Sequence, residues 1–208
     1  MHLLFVCTGN TCRSPLAEVI ARRMIADRAI TDLTVGSAGT SAWADSPASD
    51  GALLVALEHG LDLGDHRSHP LAQELVNNAQ LILTMGPHHL DRAEALGGIG
   101  RSWLLTDYAG ETPRPISDPF GGDLDVYRAT FVELELAIDA VLDRIVAYRS
   151  RRAHCRSNAD VVDAGKGSAP APPPPPPAPA PPATRGAPGT SGSARRRAAA
   201  ARPPIKCT

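Results

Sequence analysis

A short apolar run, Leu3-Leu4-Phe5-Val6, that passes directly into Cys7-Thr8-Gly9-Asn10-Thr11-Cys12-Arg13-Ser14-Pro15 constrains this chain more than any other feature. The run has the length of a buried strand. From Pro15 onward, Leu16, Val19, Ile20 and Met24 fall on one face of a helix expected to reach about Arg28. A strand that hands over to a helix through a short loop leaves backbone N–H groups without helical partners. They point, with the positive end of the helix dipole, at one spot. That spot suits a phosphate, and Gly9 lets the backbone approach it closely.

Two side chains make such a cradle reactive. Cys7 is delivered by the strand into the nest of N–H groups, where they and Arg13 favour thiolate over thiol, which makes it a nucleophile. Arg13 presents a planar fork that can hold two phosphate oxygens through a trigonal-bipyramidal transition state. Ser14 can donate its hydroxyl to the sulfur, and Asn10 can tie the loop backbone together with side-chain hydrogen bonds. Cys12 has two open readings: a partner that pairs with Cys7 under oxidation and shields it, or a packed loop thiol.

Further along, strand and helix patterns alternate, which predicts an α/β fold with a four-stranded parallel sheet covered on both faces. Leu33-Thr34-Val35 reads as a second strand ending at Gly36-Ser37-Ala38-Gly39, Leu81-Ile82-Leu83 as a third and Trp103-Leu104-Leu105 as a fourth. Helices are expected over 49–58, closed by Gly60, over 71–77 and over 87–96, the last with His88 and His89 on its surface. A long closing helix is expected over 123–148, with Phe131, Leu134, Ile138, Val141, Leu142 and Ile145 at helical spacing. In such a sheet the site lies at the carboxyl ends of the strands, where Cys7 falls.

The net charge of −1 hides two opposite halves. Residues 1–148 hold ten basic and twenty acidic side chains, a net −10, and residues 149–208 hold eleven and two, a net +9. The first part has the size of one compact domain. The second has Pro at ten of positions 170–182 and few large apolar residues, so it is expected to be a disordered Pro/Ala/Arg-rich tail. Its polyproline segment and Arg195-Arg196-Arg197 suit either a solvated extension or contact with a partner or the acidic domain. Four cysteines in 208 residues make no disulfide framework, and the N-terminal run is too short for a signal or a membrane span. A cytoplasmic protein without membrane contact is expected. The acidic domain and an aromatic content of 4% argue against a nucleic-acid partner.

The loop Cys7 to Ser14, a Cys-x5-Arg-Ser with Gly9 and Asn10 inside, resembles that of the low molecular weight protein tyrosine phosphatases. The resemblance spans residues 1 to about 148 and implies a three-layer α/β sandwich. Thr8 to Cys12, with Ser14, then form the phosphate loop around Cys7 and Arg13. Asp118-Pro119 matches the family's Asp-Pro, which implies that Asp118 is the general acid and that Pro119 holds it in place. Ser37 and His66 are implied as braces for Asn10 and Ser14; from the residues alone, His66 reads by default as a satisfied structural histidine. The implied reaction forms a phosphocysteine and hydrolyses it, with no metal or cofactor.

Phosphorylated protein side chains are the implied substrates, and the sequence leans to phosphoarginine. Thr11 resembles the bacterial protein arginine phosphatase branch, where a hydroxyl suits a polar guanidinium; tyrosine-specific members carry Ile there, an apolar wall for a phenyl ring. Asp118-Pro119-Phe120-Gly121-Gly122 resembles the same branch. Trp43 resembles the tyrosine branch, with its aromatic ring flanking the pocket beside Phe120, so a phosphotyrosine phosphatase is the alternative. Arsenate reductases resemble the family too, but need further cysteines, and none lies between Cys12 and Cys155. A non-catalytic phosphate-binding module is disfavoured by the presence of Cys7, Arg13 and Asp118 together.

Overall fold

The computed structural model describes residues 1–159, and the side chains of the first 151. The expected tail beyond Ala159 lies outside the described residues. Four strands, β1 (His2–Cys7), β2 (Thr34–Gly39), β3 (Leu81–Thr84) and β4 (Ser102–Leu104), form one parallel sheet in the order β2-β1-β3-β4. Six α-helices accompany them: α1 (Arg13–Asp27), α2 (Asp50–Glu58), α3 (Gln73–Asn78), α4 (Pro87–Ala93), α5 (Leu105–Ala109) and α6 (Leu124–Ala159).

The pleat of β1 explains how the sheet divides the core. Leu3, Phe5 and Cys7 face a large cluster with α1, α2 and α6, while Leu4 and Val6 face a smaller one with Val76, Ile82 and Ala93. A central parallel strand buried on both faces needs such a continuous apolar run. Phe131, Leu134, Ile138, Val141, Leu142 and Ile145 are all buried, so α6 closes the larger side as its spacing predicts. From β1 the chain crosses to β2 on one side and then to β3 on the other. That reversal opens a crevice at the end of β1, beside Cys7.

Three elements and one side chain differ from expectation. The fourth strand stops at Leu104, and Leu105, expected as strand, opens helix α5, which buries Leu105 and Tyr108. The fourth helix ends at Ala93 and passes into one widened turn, Glu94–Gly98, where Gly97 takes a left-handed φ of 96°. Helix α6 runs on to Ala159 rather than ending near 148, and Arg149 pairs with Asp32 at 2.6 Å. His89, expected on a helix surface, is fully buried because α4 turns that face onto the phosphate loop; His88 is the exposed one.

Candidate active site

Helix α1 begins at Arg13 with Cys12 in the cap position, no side-chain cap and no acidic residue in its first turn. Its positive end is therefore left to whatever occupies the loop. Cys7, 2% exposed, lies at the end of β1, and its Sγ is 2.9 Å from Ser14 Oγ and accepts the Asn10 N–H at 3.2 Å. Both Cys7 and Cys12 are free thiols. The Cys12 Sγ donates to Ser49 Oγ at 3.2 Å and lies 3.5 Å from the Tyr127 hydroxyl, whose ionisation is pushed upward by burial and by Cys12.

Asn10 shapes the loop. Its φ of 54° is left-handed, a conformation that Asn tolerates better than most residues. Four groups hold it there. Its Nδ2 donates to Ser14 Oγ at 2.9 Å and to Ser37 Oγ at 2.8 Å, its Oδ1 accepts the His69 N–H at 2.8 Å, and its carbonyl accepts from His66 Nε2 at 2.8 Å. A carbonyl cannot donate, so His66 carries its proton on Nε2. Gly39 packs so close that a Cβ there would stand 2.5 Å from the Thr8 carbonyl oxygen and 2.8 Å from the Asn10 nitrogen. Only glycine lets the end of β2 support the loop at that distance.

Thr8 Oγ1 lies 2.8 Å from Nε2 of buried His89, a neighbour that sequence reasoning missed. Burial, with His88 and Arg13 nearby, holds that imidazole down to about 3, so it is neutral. Thr11 is partly exposed, with its hydroxyl 3.6 Å from Cys12 Sγ and 3.3 Å from where a Cβ on Gly9 would stand. Glu18, also unforeseen, accepts from the Ser37 hydroxyl at 2.6 Å.

The distant Asp118 loop meets the phosphate loop through Arg13. The Arg13 guanidinium, 6% exposed, pairs with Asp118 Oδ2 at 2.6 Å and donates to the Ile116 carbonyl at 3.3 Å, while its buried Nε–H has no protein partner. Asp118 Oδ1 accepts the Phe120 N–H at 3.2 Å, and Gly122 N–H bonds the Pro119 carbonyl at 2.9 Å, a tight turn with Gly121 at a φ of 78°. Trp43 and Phe120 are 86% and 79% exposed. The Trp43 segment is tied to the loop by the Ser41 N–H, which donates to the Thr8 carbonyl at 2.9 Å. Among the described residues no group of three or more His, Cys, Asp or Glu is placed to hold a metal ion. No helix there is long and apolar enough to cross a membrane.

A buried thiol at the end of a parallel strand that accepts a backbone N–H and faces a serine hydroxyl, in a loop whose arginine fork is paired with a carboxylate from a distant loop, defines a cysteine-dependent phosphatase of the α/β class. The comparisons with known proteins narrow this. The family described as Low molecular weight phosphotyrosine protein phosphatase matches residues 2–151, and the chain belongs to it. A low molecular weight protein-tyrosine-phosphatase, PtpB of Staphylococcus haemolyticus, is 41% identical over 135 residues, covering 64% of this chain and 92% of that one. A protein-arginine-phosphatase of Bacillus subtilis is 38% identical over 137 residues, covering 65% and 90%. The solved YwlE arginine phosphatase from Geobacillus stearothermophilus superposes with a TM-score of 0.66 at 34% identity, covering 72% of this chain and 96% of that structure. This chain is accordingly a protein phosphatase.

Proposed function

We propose that this phosphatase acts on phosphoarginine in proteins, with Cys7 as nucleophile, Arg13 as phosphate clamp and Asp118 as general acid and base. The observation that carries the chemistry is the Cys7 sulfur facing both the Ser14 hydroxyl and the Asn10 N–H inside the loop. In the first step the Cys7 thiolate attacks phosphorus and the P–N bond breaks, while Asp118 delivers a proton to the leaving nitrogen. Arg13 and the loop N–H groups hold the equatorial oxygens. In the second, water attacks the phosphocysteine, Asp118 takes its proton, the P–S bond breaks and inorganic phosphate leaves. A phosphate entering the loop competes with Asp118 for the Arg13 fork, which frees the carboxyl group to face the leaving atom.

Thr11 supports the arginine reading. Its hydroxyl stands at the partly exposed part of the loop next to Gly9, where a polar guanidinium gains a hydrogen-bonding neighbour. The kinship to a protein-arginine-phosphatase points the same way. A phosphotyrosine reading draws on the exposed rings of Trp43 and Phe120 and on the kinship to PtpB. The two are separated by phosphate release from matched peptides carrying phosphoarginine or phosphotyrosine, with Cys7→Ser as blank. Preference for phosphoarginine is expected; preference for phosphotyrosine overturns the assignment. A cytoplasmic site of action suits a mechanism that needs Cys7 reduced.

A further inference from the structure

The hydrogen bonds behind the phosphate loop run in one direction, and their far end is a carboxylate. Glu18 on α1 accepts from Ser37 Oγ at 2.6 Å, and having no proton to give, it obliges the Ser37 hydroxyl to donate. Ser37 then has only lone pairs for Asn10, and Asn10 Nδ2 supplies one proton to it at 2.8 Å and the other to Ser14 Oγ at 2.9 Å. Ser14 Oγ already accepts from Asn10, so its own proton is left to donate; the Cys7 sulfur lies at 2.9 Å, nearer than the Ala38 carbonyl at 3.4 Å. A flipped Asn10 amide would ask the single Ser37 proton to serve both Glu18 and Oδ1, and would turn an NH2 toward the His69 N–H that now reaches Oδ1 at 2.8 Å.

We infer that Glu18 is a positioning residue for the phosphatase reaction, setting the donor direction of the Glu18–Ser37–Asn10–Ser14 chain so that it ends in a hydrogen bond donated to the Cys7 thiolate. The inference rests on Cys7 as the nucleophile. Arg22 pairs with the other carboxylate oxygen from the same helix and keeps Glu18 turned toward Ser37. Glu18 also lines a cavity of about 520 Å³, together with Ser37 and His66, and no residue of the Cys7–Ser14 loop lines it.

The experiment is the rate of Cys7 alkylation by iodoacetamide on the acid side of the wild type's own rate–pH midpoint, where the thiolate fraction limits the rate, followed by mass spectrometry of the Cys7 peptide, in the wild type and in Glu18→Ala, Glu18→Gln and Ser14→Ala. Loss of one charge-assisted donor to the thiolate is expected to slow Glu18→Ala about three- to tenfold. Glu18→Gln, whose amide oxygen can still accept from Ser37, is expected to restore most of the rate. In the Ser14→Ala background, Glu18→Ala is expected to add nothing, because Glu18 works through Ser14. An unchanged rate in Glu18→Ala overturns the inference, as does an equal slowing in the Ser14→Ala background. Equal slowing in folded Glu18→Gln and Glu18→Ala overturns it too. The readout needs no substrate. Failure of the phosphatase reading itself would show instead in wild-type turnover and in alkylation that inorganic phosphate does not block.

Discussion

The two loops that meet at Arg13 are built in opposite ways. The Cys7–Ser14 loop is buried at Cys7, Asn10 and Cys12 to Ser14 and overdetermined: Asn10 alone is held by Ser14, Ser37, His66 and His69. The Asp118 loop is exposed, with the Asp118 side chain 51% accessible and fastened by one ion pair, one turn and a bond from the Ser117 N–H to Glu133 at 3.3 Å. The contrast fits their proposed work. A cradle for phosphate gains from rigidity, because donors fixed in advance need no reorganisation in the transition state. A general acid must leave Arg13 when phosphate arrives and serve leaving group and water in turn.

If that division is right, changes in the two loops separate activity from stability. The largest effect is expected for Asp118→Ala, a fall of about 10²–10⁴ in kcat with a much smaller change in thermal melting, since the pair joins buried Arg13 to a half-exposed Asp118 and Arg13 keeps its bond to the Ile116 carbonyl. A matching loss of melting temperature would break the comparison. Next comes Asn10→Ala, expected to lose about 1–3 kcal/mol of stability in denaturant unfolding together with activity. Its left-handed backbone and its buried partners are compromised at once. Loss of activity without loss of stability would show the loop to be less rigid than its bonding implies.

Thr11→Ile sharpens the comparison inside the first loop. It is expected to shift the ratio of phosphoarginine to phosphotyrosine turnover about tenfold toward phosphotyrosine while leaving stability within about 0.5 kcal/mol, as befits a partly exposed residue. The last effect, absent at neutral pH, is a pH slope. His89 is held neutral at about 3 when folded, whereas it binds a proton near 6.5 when unfolded. The unfolded chain therefore takes up the proton first, and the stability linked to this group is complete above about pH 6.5 and lost as pH falls from there toward 3. His2, also shifted downward by burial, adds to the slope in the same direction. His89→Gln is expected to flatten the fall of melting temperature between neutral and acid pH without removing it; an unaltered slope counts against the assignment.

What could be read from the residues follows from distance along the chain. The phosphate loop is eight consecutive residues, Cys7 to Ser14, between a strand and a helix, so local rules suffice to bring its backbone N–H groups and Arg13 together. Asp118 carries no local sign of its role; an Asp-Pro before Gly-Gly is an ordinary turn, and only resemblance singled it out. His89 looked like a surface residue because its neighbour His88 is one, and a short helix has little periodicity to separate its faces. Leu105 read as strand because a three-residue apolar run has no period at all, and the turn into α5 depends on packing Tyr108 under α6.

Glu18 illustrates the remaining step. On α1 it has the spacing of a solvent-facing residue paired with Arg22 at i+4, and nothing in the chain says that Ser37, nineteen positions on, will lie against it. The order of residues by itself determined the parallel sheet, the buried central strand, the anion cradle and the presence of a thiol within it, because these rest on periodicity and on backbone groups adjacent in sequence. Tertiary structure alone decided which side chains stand behind the cradle and which way their protons point. Hydrogen-bond direction depends on contacts between β1, β2, α1 and α4 that exist only once the sheet has brought them within 3 Å of one another.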